Sequence, residues 1–231
     1  MSARDSDDLR LIATTTHGRV LVREARAAAT RGLLVGFHGY MENAATQMER
    51  LAAIPGAERW TLVSVQGLHR FYRGRTQTVV ASWMTSEDRD AMVADNIEYV
   101  DAAIDSVPHD ERTRIVFAGF SQGVAMAFRS ALRGRRRAAG VIAIGGDVPP
   151  ELLEDDEARF PSVLLVRGEH DDWFTEPKFE ADRAALATRS AALHTLVSRG
   201  GHEWTDEVSQ AAGEFLAGLE PDPPGSRAPS Q

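Results

Sequence analysis

An α/β domain, with helices on both faces of a mostly parallel buried sheet, is what this sequence predicts. Three observations predict it. Short apolar runs such as Leu33–Phe37, Ile115–Ala118 and Val163–Val166 lack the polar alternation of a half-exposed strand. Stretches of helical period separate these runs. The chain has 231 residues, 43% of them hydrophobic, which suffices for one sizeable core.

The elements follow in order. Leu9–Thr15 and Val20–Glu24 read as an opening hairpin turning at His17-Gly18. Gly32–Phe37 reads as a buried strand, residues 44–53 as a helix stopped before Pro55, and Trp60–Gln66 as a second strand. Asp88–Val107 carries Met92, Ile97, Val100 and Ile104 at helical spacing and ends at Pro108. Arg114–Ala118 is a strand and Gln122–Arg133 a helix. Ala139–Ile144 and Ser162–Val166 are further strands. A helix at Glu176–Thr188, a strand at Ala192–Val197 and a helix at Thr205–Leu219 complete the set. One domain over 9–219 is expected, between a disordered N-terminus (1–8) and a disordered Pro/Ser-rich tail (220–231).

Bulk properties exclude several classes. The net charge of −8 argues against general nucleic-acid binding. The arginines from Arg133 to Arg137 follow an amphipathic stretch, so they read as cations at a helix C-terminus. No cysteine is present, so there is no disulfide, thiolate metal site or cysteine nucleophile. That composition fits a reducing cytoplasm. No secretory signal and no apolar run of membrane-spanning length is visible. The expectation is a soluble cytoplasmic protein with no stable membrane insertion.

In parallel sheets, ligands bind beyond the carboxyl ends of the strands. Four such ends carry chemistry. After Arg114–Ala118 comes Gly119-Phe120-Ser121-Gln122-Gly123, a G-x-S-x-G between strand and helix. A nucleophile there sits on a tight turn with its hydroxyl above the sheet, and the helix N-terminus favours a developing oxyanion. The competing reading is a surface turn with a solvated serine. After Leu33–Phe37 comes His38-Gly39-Tyr40. The oxyanion hole is expected from the Gln122 and Tyr40 N–H groups, with Met41 as second choice; His38 is expected to support the loop.

After Val163–Val166, the loop offers Glu169, Asp171 and Asp172 as partners for an imidazole, and Asp147 follows the preceding strand. Position favours the later loop but does not separate Asp171 from Asp172. After Ala192–Val197 comes Gly200-Gly201-His202-Glu203. His202 lies between the last strand and the last helix, where a general base belongs. His17, His69, His109, His170 and His194 have no comparable position.

With these residues in view, the chain resembles the α/β-hydrolase superfamily, and within it the phospholipase/carboxylesterase family of small bacterial serine esterases. The resemblance runs from about residue 32 to 217, through the His38-Gly39 loop, Gly119–Gly123, the Gly168-x-x-Asp171 turn and Gly201-His202-Glu203. It implies a single-domain α/β-hydrolase fold and a Ser121–Asp171–His202 triad, since the family's acid falls three residues after the glycine. It also implies hydrolysis of carboxylic esters with short acyl chains, or of lysophospholipid-like esters, without metal or cofactor. A small-molecule ester is the expected partner, and a homodimer is compatible with the sequence. The loop His38-Gly39-Tyr40-Met41-Glu42 departs from the small residues more usual there.

The segment Gln66–Trp83 is distinctive. Phe71, Tyr72, Trp83 and Met84 are candidates to wall a substrate pocket, with Met41 beside them, and Arg70, Arg73 and Arg75 could meet an anionic substrate. An ordinary exposed loop with one or two anchoring aromatics competes evenly. An acyltransferase or peptidase on the same triad, or a non-catalytic binding module, are the alternatives. A dienelactone-hydrolase-like enzyme would carry cysteine where Ser121 stands.

Overall fold

A computed structural model describes residues 8–26 and 31–219. The expected disordered ends lie, Asp8 apart, outside the described residues.

The sheet has seven strands. These are β1 (Arg19–Arg23), β2 (Leu33–Phe37), β3 (Thr61–Gln66), β6 (Ile115–Phe120), β7 (Gly140–Ile144), β8 (Ser162–Gly168) and β9 (Leu193–Ser198), in the order β1-β3-β2-β6-β7-β8-β9. All pair in parallel except β1, which runs antiparallel to β3. A separate two-stranded hairpin joins β4 (His69–Tyr72) to β5 (Val79–Ser82).

Strand alternation divides the core in two. Leu33, Val35, Phe37, Ile115 and Phe117 face one way. They pack against α2 (Arg89–Asp105), α3 (Gln122–Arg133) and α5 (Glu176–Ala187) through Val100, Ile104, Phe128, Phe179 and Leu186. Leu34, Val116 and Ala118 face the other way. They meet α1 (Ala44–Ala53) and α6 (Asp206–Gly218) through Met48, Leu51, Val208, Ala212 and Phe215. Strands covered on both faces need apolar residues at every position, which explains the unbroken runs. A short helix α4 (Pro150–Leu153) follows β7.

One expectation is corrected. The opening hairpin does not form: residues 8–18 lie in no strand, and β1 pairs across the sheet with β3. Val20 and Val22 sit opposite the buried Val65 and Val63, whereas Leu9, Leu11 and Ile12 of the expected partner are exposed. The segment after Gln66 is ordered as β4 and β5. Among the described residues no helix is long and apolar enough to cross a membrane.

Candidate active site

Four loops at the carboxyl ends of β2, β6, β8 and β9 build the site. Beyond β6 the chain turns sharply into α3, and Ser121 holds φ 53°, ψ −120° at the turn. A non-glycine residue so placed is strained by about 1–3 kcal/mol and persists only where its surroundings fix it. The surroundings do so here. The Ser121 N–H donates to the Ile144 carbonyl (2.9 Å). A Cβ on Gly119 would lie 2.4 Å from the Gly123 carbonyl oxygen, and one on Gly123 would lie 2.2 Å from the Phe37 carbonyl oxygen. Both positions exclude any side chain. They seat the start of α3 directly against the end of β2.

Ser121 is the N-cap of α3, yet its hydroxyl makes no cap hydrogen bond. The Ser121 Oγ lies 2.8 Å from His202 Nε2. On the far side of the ring, His202 Nδ1 lies 2.8 Å from Asp171 Oδ2. The other Asp171 oxygen accepts the N–H groups of Trp173 (2.8 Å) and Phe174 (2.9 Å). Asp171 is buried and so held by three donors, which fix its orientation toward the imidazole. The His202 ring stacks beside Phe120, at 5.1 Å between centroids.

The structure thus brings Ser121, His202 and Asp171 together. It separates the other acids from them. Asp172 and Glu169 are exposed, and Asp147 pairs with Lys178 at 3.3 Å. The loops after β8 and β9 are tied by backbone bonds, from Glu169 N–H to Ser198 and from His170 N–H to Gly200, both 2.8 Å. Those bonds set the height of His202 above the sheet.

The loop after β2 reaches the same place. His38 is fully buried; its Nε2 accepts the Gly67 N–H (3.0 Å) and its Nδ1–H donates to the Gly39 carbonyl (2.7 Å). Burial depresses its pKa, outweighing the Gly39 contact, so the ring is neutral and serves as a strut. Among the described residues neither the Tyr40 nor the Gln122 N–H donates to a protein acceptor. The Met41 N–H is occupied by the Ala81 carbonyl at 3.1 Å, which removes the second-choice donor. Met41 holds φ 59°, so the turn carrying Tyr40 is strained.

Sequence reasoning missed the brace beneath this loop. Glu42 accepts the Gly39 N–H (2.7 Å) and both terminal nitrogens of Arg50 (2.6 and 2.7 Å). Burial alone would raise the Glu42 carboxyl, but Arg50 and the Gly39 N–H more than offset it, and the net shift is downward. Arg50 lies 4.2 Å from the Phe120 ring centroid, which links the brace to the residue before Ser121. The spacing of Glu42 and Arg50 on either side of the Asn43 helix cap was the available signal. The Gln122 side chain was missed too: it accepts the Trp83 N–H (3.0 Å) and donates to the Met84 carbonyl (2.9 Å).

The expected pocket walls divide. Trp83 is wholly buried, edge-on to Phe37 at 5.5 Å, with its indole N–H on the His38 carbonyl (2.9 Å). It is core and walls no pocket, which corrects that expectation. Alternation along β4 sends Phe71 toward Tyr40, with ring centroids 6.1 Å apart, and Tyr72 to the opposite face. Tyr72 is therefore corrected as well. Trp173, 74% exposed and 6.5 Å from the His202 ring, is an aromatic at the rim that the sequence reading passed over. Met84 is partly buried against the core. A groove of about 1330 Å³, lined by Ile115, Phe160, His194 and Leu219, opens at the opposite end of the strands and is remote from this chemistry.

A parallel sheet with a strained serine at a strand-to-helix turn defines an α/β hydrolase. The model of the phospholipase/carboxylesterase family matches residues 23–217. The chain belongs to that family and is a carboxylic ester hydrolase. No curated protein matches the sequence. Solved structures that resemble it include a carboxylesterase from Bacillus cereus (17% identity, 88% of this chain and 95% of that one, TM-score 0.68). They also include acyl-protein thioesterase 2 from Zea mays (18%, 87% and 98%, 0.68) and a carboxylesterase from Mesorhizobium loti (18%, 82% and 90%, 0.66). At these identities the likeness is one of fold.

Proposed function

We propose that this enzyme cleaves small carboxylic esters through an acyl-enzyme on Ser121, with His202 as general base and Asp171 as its orienting carboxylate. The observation that carries this reading is the continuous chain of contacts from Asp171 through His202 to the Ser121 hydroxyl, 2.8 Å at each step.

His202 Nε2 takes the Ser121 proton as Oγ attacks the ester carbonyl. The tetrahedral oxyanion is met by the N–H groups of Tyr40 and Gln122, which have no protein acceptor to give up among the described residues. His202 returns the proton to the alkoxide, and the alcohol leaves. Water then attacks the acyl-enzyme, giving its proton to His202. Collapse releases the carboxylic acid, and the same proton restores the Ser121 hydroxyl. Asp171 remains ionised throughout and holds Nδ1–H. The open rim of Tyr40, Phe71 and Trp173 suits a short acyl chain or a lysophospholipid-like ester, and the cysteine-free chain suits the cytoplasm.

The test is hydrolysis of p-nitrophenyl esters of increasing acyl length by wild type, Ser121→Ala and His202→Ala. Each substitution is expected to lower kcat by several orders of magnitude. Activity retained in either folded variant would refute the assignment.

A further inference from the structure

The geometry points to a substrate class: esters that carry a carboxylate, recognised by Arg73 at the rim of the Tyr40–Met41 turn. This inference rests on the reading of Ser121 given above.

Alternation along β4 and beyond sets the argument. Phe71 faces Tyr40, and Arg73, two residues on, extends to the same turn, where its Nη2 donates to the Met41 carbonyl at 2.6 Å. Arg70 serves the other face, donating to the His17 carbonyl at 3.0 Å. The three arginines of the hairpin are therefore not equivalent. Only Arg73 is fixed beside the turn whose Tyr40 N–H awaits the oxyanion.

Its charge is uncompensated. Among the described residues Arg73 has no carboxylate partner. Arg50, Arg129, Arg135 and Arg136 all have one. The acid nearest along the turn, Glu42, is neutralised by Arg50 on the buried side. One Arg73 donor is spent on Met41, and the exposed guanidinium keeps others in a fork that matches a carboxylate. In a chain of net charge −8, an unpaired cation held beside the Tyr40–Met41 turn offers an anionic substrate a local counter-charge.

The experiment compares charged and neutral esters of matched shape. Mono-p-nitrophenyl glutarate against p-nitrophenyl pentanoate places the carboxylate on the acyl side. The butyrate of 4-hydroxybenzoate against phenyl butyrate places it on the alcohol side. Wild type is expected to favour the charged member of at least one pair in kcat/KM, and the preference should shrink with added salt. Arg73→Gln should cut the charged-to-neutral ratio about tenfold, with Arg73→Lys between the two. The pair that responds identifies the half of the substrate that meets Arg73. Absence of any wild-type preference would overturn the inference. So would an Arg73→Gln variant that loses charged and neutral esters equally, since a mere brace on Met41 predicts that. Hydrolysis of none of the four by folded wild type would refute the esterase reading itself, and this inference with it.

Discussion

The turn at Gly119–Gly123 and the hairpin at His69–Ser82 face the same site under opposite constraints. In the first, β6 and the glycines are buried, and added Cβ atoms would meet backbone. In the second, β5 is buried from Val80 to Ser82, but His69, Arg70 and Tyr72 on β4 are exposed, and the hairpin meets the Tyr40–Met41 turn through a few directed bonds. The contrast teaches where variation is tolerated. The proposed nucleophile sits where almost no other residue fits. The group proposed to select the substrate, Arg73, sits in the exposed connection between β4 and β5, where other side chains could stand.

That contrast can be broken from either side. The largest effect is expected at Gly123→Ala. Its new methyl must displace the end of β2 at Phe37 and His38, costing about 3 kcal/mol and abolishing measurable esterase activity. Thermal melts and ester assays check this. On the hairpin, Tyr72→Ala should leave both readouts near wild type, because that side chain faces away from the site.

The Glu42 brace is intermediate. Replacing its charge by Glu42→Gln should cost about 1–2 kcal/mol at neutral pH. Its folded pKa is depressed, so the stabilisation is present above the ordinary carboxylate value and is lost as pH falls through the folded one. The gap in melting temperature between wild type and variant should therefore close on acidification. A gap that widens in acid would contradict the brace.

A smaller effect than that at Glu42 sharpens the comparison. Met41 holds φ 59°, and Met41→Gly should relieve about 1 kcal/mol of strain, raising the melting temperature. If the strain positions the Tyr40 N–H, kcat should fall as stability rises. A variant both more stable and equally active would show that the strain does nothing for the reaction.

The parallel strands and the loops that follow them were legible because a strand covered on both faces must be apolar throughout. Leu33–Phe37 and Val163–Val166 announce themselves. Ser121 and His202 stood out by position after such strands. The choice of Asp171 over Asp172 came from resemblance, because what separates them is the capture of Asp171 by the N–H groups of Trp173 and Phe174. β4 and β5 were missed because six residues separate two short strands with no tight-turn signature. The partner of β1 was missed because pairing across the sheet is not a local property. Trp83 could not be told from a pocket wall, since burial depends on Phe37 and His38 far along the chain.

The central claim is that Ser121 is the nucleophile, and stoichiometric labelling by a serine-reactive phosphonate tests it most directly. Intact-mass spectrometry of the wild type should show one adduct per chain, mapped to Ser121 and absent from Ser121→Ala. An unlabelled wild type, or an adduct that persists in Ser121→Ala, would contradict it.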